Sequence, residues 1–336
     1  MGLVLVTGAA GHVGGNLVRA LLAQGRNVRV LVHNDTRAID GLDVERVKGD
    51  VLDPVTLRPA VDGAEVVYHL AAIITIEGDP DGRVRRTNVE GPHNVVQACL
   101  DAKVKRLVHF SSIHAFEQAP LLEQLDEKRP LEKSGRAPVY DQTKAAGQRE
   151  VWDGVKKGLD AVIVHPTSVI GPFDFKPSRL GQVLLDLYFR RLPSLVGGGF
   201  DWVDVRDIVA GAIAAETRGQ TGTNYLLAGK WRTVKELAHV AASVTGVRPP
   251  RFTSPLWLAK VGVPFAVGWA KLTRSRPLYT FESLHALQYS NRVISSERAE
   301  ADLGYSARPL EETIADSYAW FREAGMLEGA KRKAVS

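Results

Sequence analysis

The chain has 336 residues, 45% hydrophobic and 24% charged, the proportions expected of an ordinary soluble globular protein with a sizeable core. Its single cysteine, Cys99, excludes an intrachain disulfide framework and a cysteine-built metal cluster, and fits a reducing compartment such as the cytoplasm. The net charge of +5 comes from scattered basic residues with one short cluster, Lys331, Arg332 and Lys333, so an anionic small ligand is expected and nucleic acid is not.

The opening MGLVLVTGAAG has no basic stretch leading into an apolar run and cleavage site, and reads as a first strand instead of a signal peptide. LVLVTG leads into a helix from Gly14 to Gln24, and VRVLVH, VERVKGD and AEVVYHLAA read as strands. A helix through NVVQACLDA, the strand RLVHFSS, a helix carrying Tyr140 and the strand DAVIVHP follow. Strands alternating with helices imply βαβ units, and continuous Val, Leu and Ile runs imply parallel strands buried on both faces. The expected fold is α/β, a doubly wound parallel Rossmann sheet, with residues 1–166 as its dinucleotide-binding core.

After Pro166 the rhythm changes: RLGQVLLDLYFRRL reads as a helix, DWVDVRDIVAGAIAA as a strand entering a helix, and TNYLLAG as a strand. Residues 167–330 are expected to form a smaller, mostly helical substrate-binding region, with about 200–228 returning to the Rossmann core and 331–336 as a basic tail. No run of about eighteen consecutive apolar residues suggests a spanning helix. The nearest, PLWLAKVGVPFAVGWAKL, is interrupted by Lys260, Pro264 and Lys271.

Gly8, Gly11 and Gly14 stand in a G-x-x-G-x-x-G spacing that includes His12 and Val13, directly after the first strand and opening the first helix. Glycines serve there because the chain turns tightly and a pyrophosphate must approach the backbone amides and the positive end of the helix. An NAD site would place an acid at the tip of the second strand, whereas a 2′-phosphate calls for basic side chains. Here the tip carries no acid, and His33 and Arg37 lie close by, which favours NADP(H). NAD(H) stays open because Asp35 is near enough in sequence to hold a ribose.

In chain order, TGAAGHVG, GDVLD, HLAA, TNVEGPHNVVQAC, HFSSIHAF, YDQTK and HPTSVIGP resemble the extended short-chain dehydrogenase/reductases of the NAD-dependent epimerase/dehydratase superfamily. The later stretches DWVDVRDIVAGAIAA and TNYLLAG resemble the branch containing dihydroflavonol 4-reductase and 3β-hydroxysteroid dehydrogenase more than the sugar-nucleotide epimerases. The resemblance implies a catalytic set of Ser112, Tyr140 and Lys144, the last two matching the family's Tyr-x-x-x-Lys. It also implies that Asp50 and Val51 lie near the adenine, Leu70, Ala71 and Ala72 near the ribose, and Ser111, Pro166, Ser168 and Val169 towards the nicotinamide. Asn88 matches a family position, with a helix or turn hydrogen bond as the equal alternative. Related enzymes often dimerise through helices flanking the tyrosine, which implies a homodimer. Two departures weaken a nucleotide-sugar assignment: Ala115-Phe116-Glu117 stands where epimerases read V-Y-G, and His165 replaces an arginine.

In this reading Tyr140 is the general acid in reduction and the base in oxidation, Lys144 lowers its pKa and holds the cofactor ribose, and Ser112 hydrogen-bonds the substrate oxygen. Bringing a phenol from about 10 toward 7 takes roughly 4 kcal/mol, and an exposed ammonium at about 4 Å supplies on the order of 1 kcal/mol. Lys144 must therefore act in a partly desolvated site, helped by the charge of an oxidised nicotinamide. The expected activity is NAD(P)-dependent hydride transfer to or from a carbonyl or secondary alcohol of an apolar substrate, such as a ketone, an aldehyde, or a flavonoid-like or steroid-like molecule. A nucleotide-sugar epimerase or dehydratase with tightly bound NAD, and a non-enzymatic dinucleotide sensor, are the alternatives.

His109, His114 and His165 are read as core or loop hydrogen-bonding groups, with no metal expected. Asp201, Asp204 and Asp207 lack the glycine turn and terminal glutamate of a calcium loop, and helix capping by Asp204 or Asp207 is the plainer account. The apolar stretch with Trp257, Leu258, Phe265, Val267 and Trp269 has three readings: core of the smaller region, wall of a lipophilic substrate site, or a helix at a membrane surface with Lys260 and Lys271 snorkelling.

Overall fold

The computed structural model describes residues 2–76, 78–273 and 280–328, so the expected basic tail lies outside the described residues. Its first part runs β1 (Leu3–Thr7), α1 (His12–Ala23), β2 (Asn27–Val32), β3 (Glu45–Lys48), α2 (Pro54–Val61), β4 (Ala64–His69), α3 (Arg83–Arg85), α4 (Gly91–Asp101), β5 (Arg106–Phe110), α5 (Val139–Lys156) and β6 (Ala161–Pro166). There follow β7 (Ser168–Ile170), α6 (Arg179–Tyr188), β8 (Leu195–Val196), β9 (Gly199–Asp204), α7 (Val205–Arg218), β10 (Asn224–Leu227), β11 (Lys230–Thr233) and α8 (Val234–Thr245). The chain continues through β12 (Thr253–Ser254), α9 (Leu256–Thr273), α10 (Phe281–Tyr289), α11 (Glu297–Leu303) and α12 (Leu310–Glu323).

Strands β10, β6, β5, β4, β1, β2 and β3 lie side by side in that order, every pairing parallel. This is the expected doubly wound sheet, and it explains the continuous apolar strands, which need cover on both faces. On one face Val4, Val6, Val30, Val108 and Val164 share a core with Leu17 and Leu21 of α1 and Ile208 of α7. On the other, Leu5, Val67, Leu107 and Ile163 pack with Val95 and Cys99 of α4 and Val151 of α5. The β10 strand, from the second part of the chain, completes the central sheet beside β6.

The remaining strands are short. β7, β9 and β11 form a small sheet, and β8 pairs with β12. Around them, Leu184 of α6, Leu237 and Ala241 of α8, and Ile314, Tyr318 and Phe321 of α12 build a separate core. Helix α2 begins where Asp53 accepts a hydrogen bond from Val55 N and Pro54 occupies the first turn, an ordinary helix start.

What positions the site is the sheet order. β1 lies between β2 and β4, with Thr7 in register with both Leu31 and His69. The carboxyl ends of the three strands thus open together at the point where strand order reverses, the place where such sheets bind ligands.

Leu107, fully buried in β5, and Leu122, 73% exposed, separate packing from mere hydrophobicity. Leu107→Ala is expected to lower unfolding free energy by about 2–5 kcal/mol, and Leu122→Ala to change it by no more than about 0.5 kcal/mol, both read from urea unfolding.

Candidate active site

The glycine turn follows β1 directly. Gly8 has φ +72°, and a Cβ there would lie 2.7 Å from the backbone nitrogen of Ala71. A Cβ on Gly14 would run into the carbonyl of Gly8. These two absent side chains let α1 start tight against the ends of β1 and β4. Gly11 precedes α1 with no side-chain cap, and the first turn carries no acid, so the positive helix end is free for an anion. The His12 side chain is a tether: its Nε2 lies 2.9 Å from the carbonyl of Pro172, to which Asn16 Nδ2 also donates at 3.1 Å.

A cleft of about 2100 Å³ opens over these strand ends. Of the residues expected around a dinucleotide, it is lined by Gly8, Gly11, His12, Val13, Gly14, His33, Asp50, Val51, Leu70, Ala71, Ala72, Ser111, Pro166, Ser168 and Val169, together with Ser112, Tyr140 and Lys144. Arg37 is not among its lining residues. Its guanidinium is turned onto Asp35, with Nη2 2.6 Å from Oδ2 and Nε 2.9 Å from Oδ1, and this contact holds the Asp35 carboxyl down to about 2. His33 faces Asp50 at 3.5 Å. The two basic groups expected to share a 2′-phosphate are thus each set against a different carboxylate.

Asn88 adopts the hydrogen-bonding role that was the alternative. Its Oδ1 accepts from Ile73 N at 2.8 Å, and its Nδ2 donates to Ile73 O at 3.0 Å and to Thr143 Oγ1 at 3.1 Å. It pins the cleft segment after β4 to α5.

Ser112 leaves the end of β5 and Tyr140 opens α5; the Ser112 hydroxyl accepts from His114 N at 3.2 Å and favours the phenolate form of Tyr140. One turn further along, the buried Lys144 ammonium donates to the carbonyl of Phe110 at 2.8 Å. Burial pushes the Tyr140 phenol up to about 12, against the pull of Ser112, and pushes Lys144 down to about 8. Among the chain's own groups burial dominates, and the phenol holds its proton at pH 7.

A pair missed in the sequence completes this corner. His114 Nδ1 lies 3.3 Å from Asp141 Oδ1, and its ring meets Tyr140 edge-on with centroids 5.9 Å apart. Burial opposes an imidazolium at His114, but Asp141 outweighs it and the pKa is raised. The signal was in plain view, since Asp141 follows Tyr140 and His114 lies two residues after Ser112.

Beneath the site His69, His109 and His165 stand on adjacent strands β4, β5 and β6. His69 Nδ1 is 2.7 Å from Thr7 Oγ1, and His165 Nδ1 is 3.0 Å from Ser112 O. Burial first, then the Lys144 charge, holds His69 down to about 3 and His109 well below its ordinary value, and burial holds His165 down to about 4. These are neutral core imidazoles. Among the described residues no group of three or more His, Cys, Asp or Glu is placed to hold a metal. Asp204 caps α7 by accepting from Arg206 N at 2.8 Å, Asp207 binds Arg308 at 2.7 Å, and Asp201 accepts from Gly229 N at 2.7 Å.

The far wall of the cleft is apolar in large part, with Leu180 and Val183 of α6, Leu192, Phe200 and Trp202, and Leu284 and Leu287 of α10. Trp257, Leu258 and Phe265 belong to neither core nor cleft: they are 67%, 46% and 77% exposed and absent from the lining. For these three residues that corrects both the core reading and the substrate-wall reading, while Ala259 and Val263 on the other side of α9 are buried. The side chains of Val267 and Trp269 lie outside the described residues. Lys260 does not snorkel outward, since its ammonium donates to Gln288 Oε1 at 2.7 Å.

The neutral histidines carry a pH signature. Their native pKa values lie below 6.5, so between pH 6.5 and about 4 the unfolded chain binds protons that the native chain does not, and stability falls as pH falls through that window. His165→Asn is expected to flatten that slope in urea unfolding measured across pH 4–7; an unchanged slope contradicts the assignment.

Known proteins resemble the chain over nearly its whole length. Residues 4–228 match the model of the NAD dependent epimerase/dehydratase family. The chain is 35% identical to "Sterol demethylase protein B" of Methylococcus capsulatus, over 96% of this chain and 99% of that protein. It is 30% identical to the "Putative dihydroflavonol 4-reductase" of Synechocystis, over 96% and 95%. The crystal structure of gox2253 superposes with a TM-score of 0.82 at 31% identity, covering 97% of this chain and 99% of that one.

Proposed function

Because the chain belongs to the NAD-dependent epimerase/dehydratase family and is an oxidoreductase of the extended short-chain dehydrogenase/reductase type, we propose that it reduces a carbonyl group of an apolar ketone or aldehyde. The observation that carries the reading is the gathering of Ser112, Tyr140 and the buried Lys144 on one cleft, whose lining also includes Leu180, Val183, Phe200, Trp202, Leu284 and Leu287. The names of two relatives, one for a sterol and one for a dihydroflavonol, support the same substrate class.

The tight turn at Gly8 and Gly14 and the uncapped start of α1 fit a pyrophosphate, which the amides of Gly11 to Gly14 would hold. Asp50 and Val51 would flank the adenine, Leu70 to Ala72 the ribose, and Pro166, Ser168 and Val169 the carboxamide end. The dinucleotide, when bound, supplies or accepts the hydride. His33 would meet a 2′-phosphate, which favours NADP(H), with Arg37 recruited only if it leaves Asp35.

The chain's own part is proton transfer and orientation. Ser112 donates a hydrogen bond to the substrate carbonyl oxygen. Tyr140, protonated at pH 7, gives its proton to the oxygen as charge develops there, acting as general acid. Lys144 stabilises the phenolate left behind, and its contact with Phe110 O sets its position at the end of β5. A second reading, a nucleotide-sugar substrate, draws on Lys176 and Arg191 at the cleft.

Tyr140→Phe is expected to lower turnover by about 10²–10⁴-fold while dinucleotide binding, followed by cofactor fluorescence, is retained. The assay is NADPH oxidation across aromatic aldehydes, flavonoid-like ketones and ketosteroids, with nucleotide sugars as controls; a variant keeping most of its turnover contradicts the role of Tyr140. Michaelis constants are expected to be lower for NADPH than for NADH, and a marked preference for NADH would remove the phosphate-binding role of His33.

A further inference from the structure

Helix α9 presents Trp257, Val261, Pro264, Phe265 and Gly268 to solvent at i, i+4, i+7, i+8 and i+11, one continuous stripe of an α-helix. Its opposite side carries Ala259 and Val263, buried against Leu284 of α10. So α9 is seated on the protein by one face and turns a row of large apolar side chains outward, with Trp257 67% and Phe265 77% exposed. Soluble monomers rarely leave such a row uncovered.

In the sequence, the charge in and beside this helix is one-sided. From Leu237 to Phe281 the sequence has no Asp or Glu, and it carries Arg248, Arg251, Lys260, Lys271, Arg274 and Arg276. Just before β12, Arg248 and Arg251 join Arg190 around a hollow of about 410 Å³. A single carboxylate, Asp186, lines it, and that group already accepts a hydrogen bond from Gln182 and lies 3.6 Å from Arg191. An exposed tryptophan, a phenylalanine and three arginines around a single, already engaged carboxylate suit the boundary of an anionic bilayer, where aromatic rings enter the headgroup layer and guanidinium groups meet phosphate. Among the described residues no helix is long and apolar enough to cross a membrane, so the contact is peripheral.

We propose that the outward face of α9, with the adjoining Arg190, Arg248 and Arg251 hollow, docks the protein on the surface of an anionic lipid bilayer. The same small cluster that seats α9 includes Leu287 and Val196, which also line the cleft, and Asp186 and Leu192 line both the cleft and the arginine hollow. Docking there holds the cleft beside the lipid. The surface contact does not depend on the carbonyl-reductase reading.

The test is flotation of the full chain with phosphatidylcholine vesicles containing one quarter phosphatidylglycerol, against phosphatidylcholine alone. The chain is expected to float with the anionic vesicles at low salt and to be released as salt rises. Trp257→Glu/Phe265→Glu is expected to abolish flotation, and Arg248→Glu/Arg251→Glu to weaken it roughly ten-fold or more. All four positions are exposed or partly exposed, and circular dichroism and melting temperature are expected to match the parent. No flotation with anionic vesicles at low salt, or equal flotation of the Trp257→Glu/Phe265→Glu variant, overturns the proposal. So does a concentration-dependent self-association in sedimentation that the same variant removes, since a second copy would then be the partner of this face.

Discussion

The site is organised around a cation kept out of water. Lys144 rises from α5 and donates to the carbonyl of Phe110 at the end of β5, and burial alone brings its pKa down to about 8. A buried ammonium is costly unless it is hydrogen-bonded, and the bond to Phe110 provides that while tying the helix to the strand. That tie sets Tyr140 one turn earlier against Ser112, which leaves the same strand two residues later. The charge also reaches downward, helping to hold His69 and His109 neutral beneath the site. Helix, strand end and histidine row thus form one electrostatic unit.

The second constraint is steric. Gly8 and Gly14 bring α1 within contact of the ends of β1 and β4, which leaves backbone amides as the groups closest to any ligand in that part of the cleft. Asn88 fixes the opposite margin by joining Ile73 to Thr143 on α5. The glycine-turn end and the Tyr140 end of the cleft are therefore braced by different elements.

Much of this was legible in the sequence for a physical reason. Strands buried on both faces are continuous Val, Leu and Ile runs, and their alternation with helices dictates a parallel sheet; the glycine turn and the Tyr140–Lys144 spacing are local patterns. Helix α2 was not legible, because it has eight residues and Pro59 lies within it. The two- to four-residue strands β7, β8, β11 and β12 carry no period long enough to read. The pairing of Arg37 with Asp35 depends on rotamers that spacing does not specify. Composition marked α9 as apolar but could not say which side it turns outward, and the structure exposes the very residues that suggested core. The contribution of α10 to the cleft was hidden for a related reason: its cleft-facing residues are set by how it packs on α9, not by its own pattern.

The desolvated lysine is measurable without knowing the substrate. An NMR titration of the Lys144 side chain, with the signal identified by its loss in Lys144→Met, is predicted to show a midpoint near 8 in the free protein. A midpoint at the ordinary lysine value near 10.4 would mean that the ammonium is solvated, and would contradict the account of how Tyr140 and Lys144 are held for proton transfer.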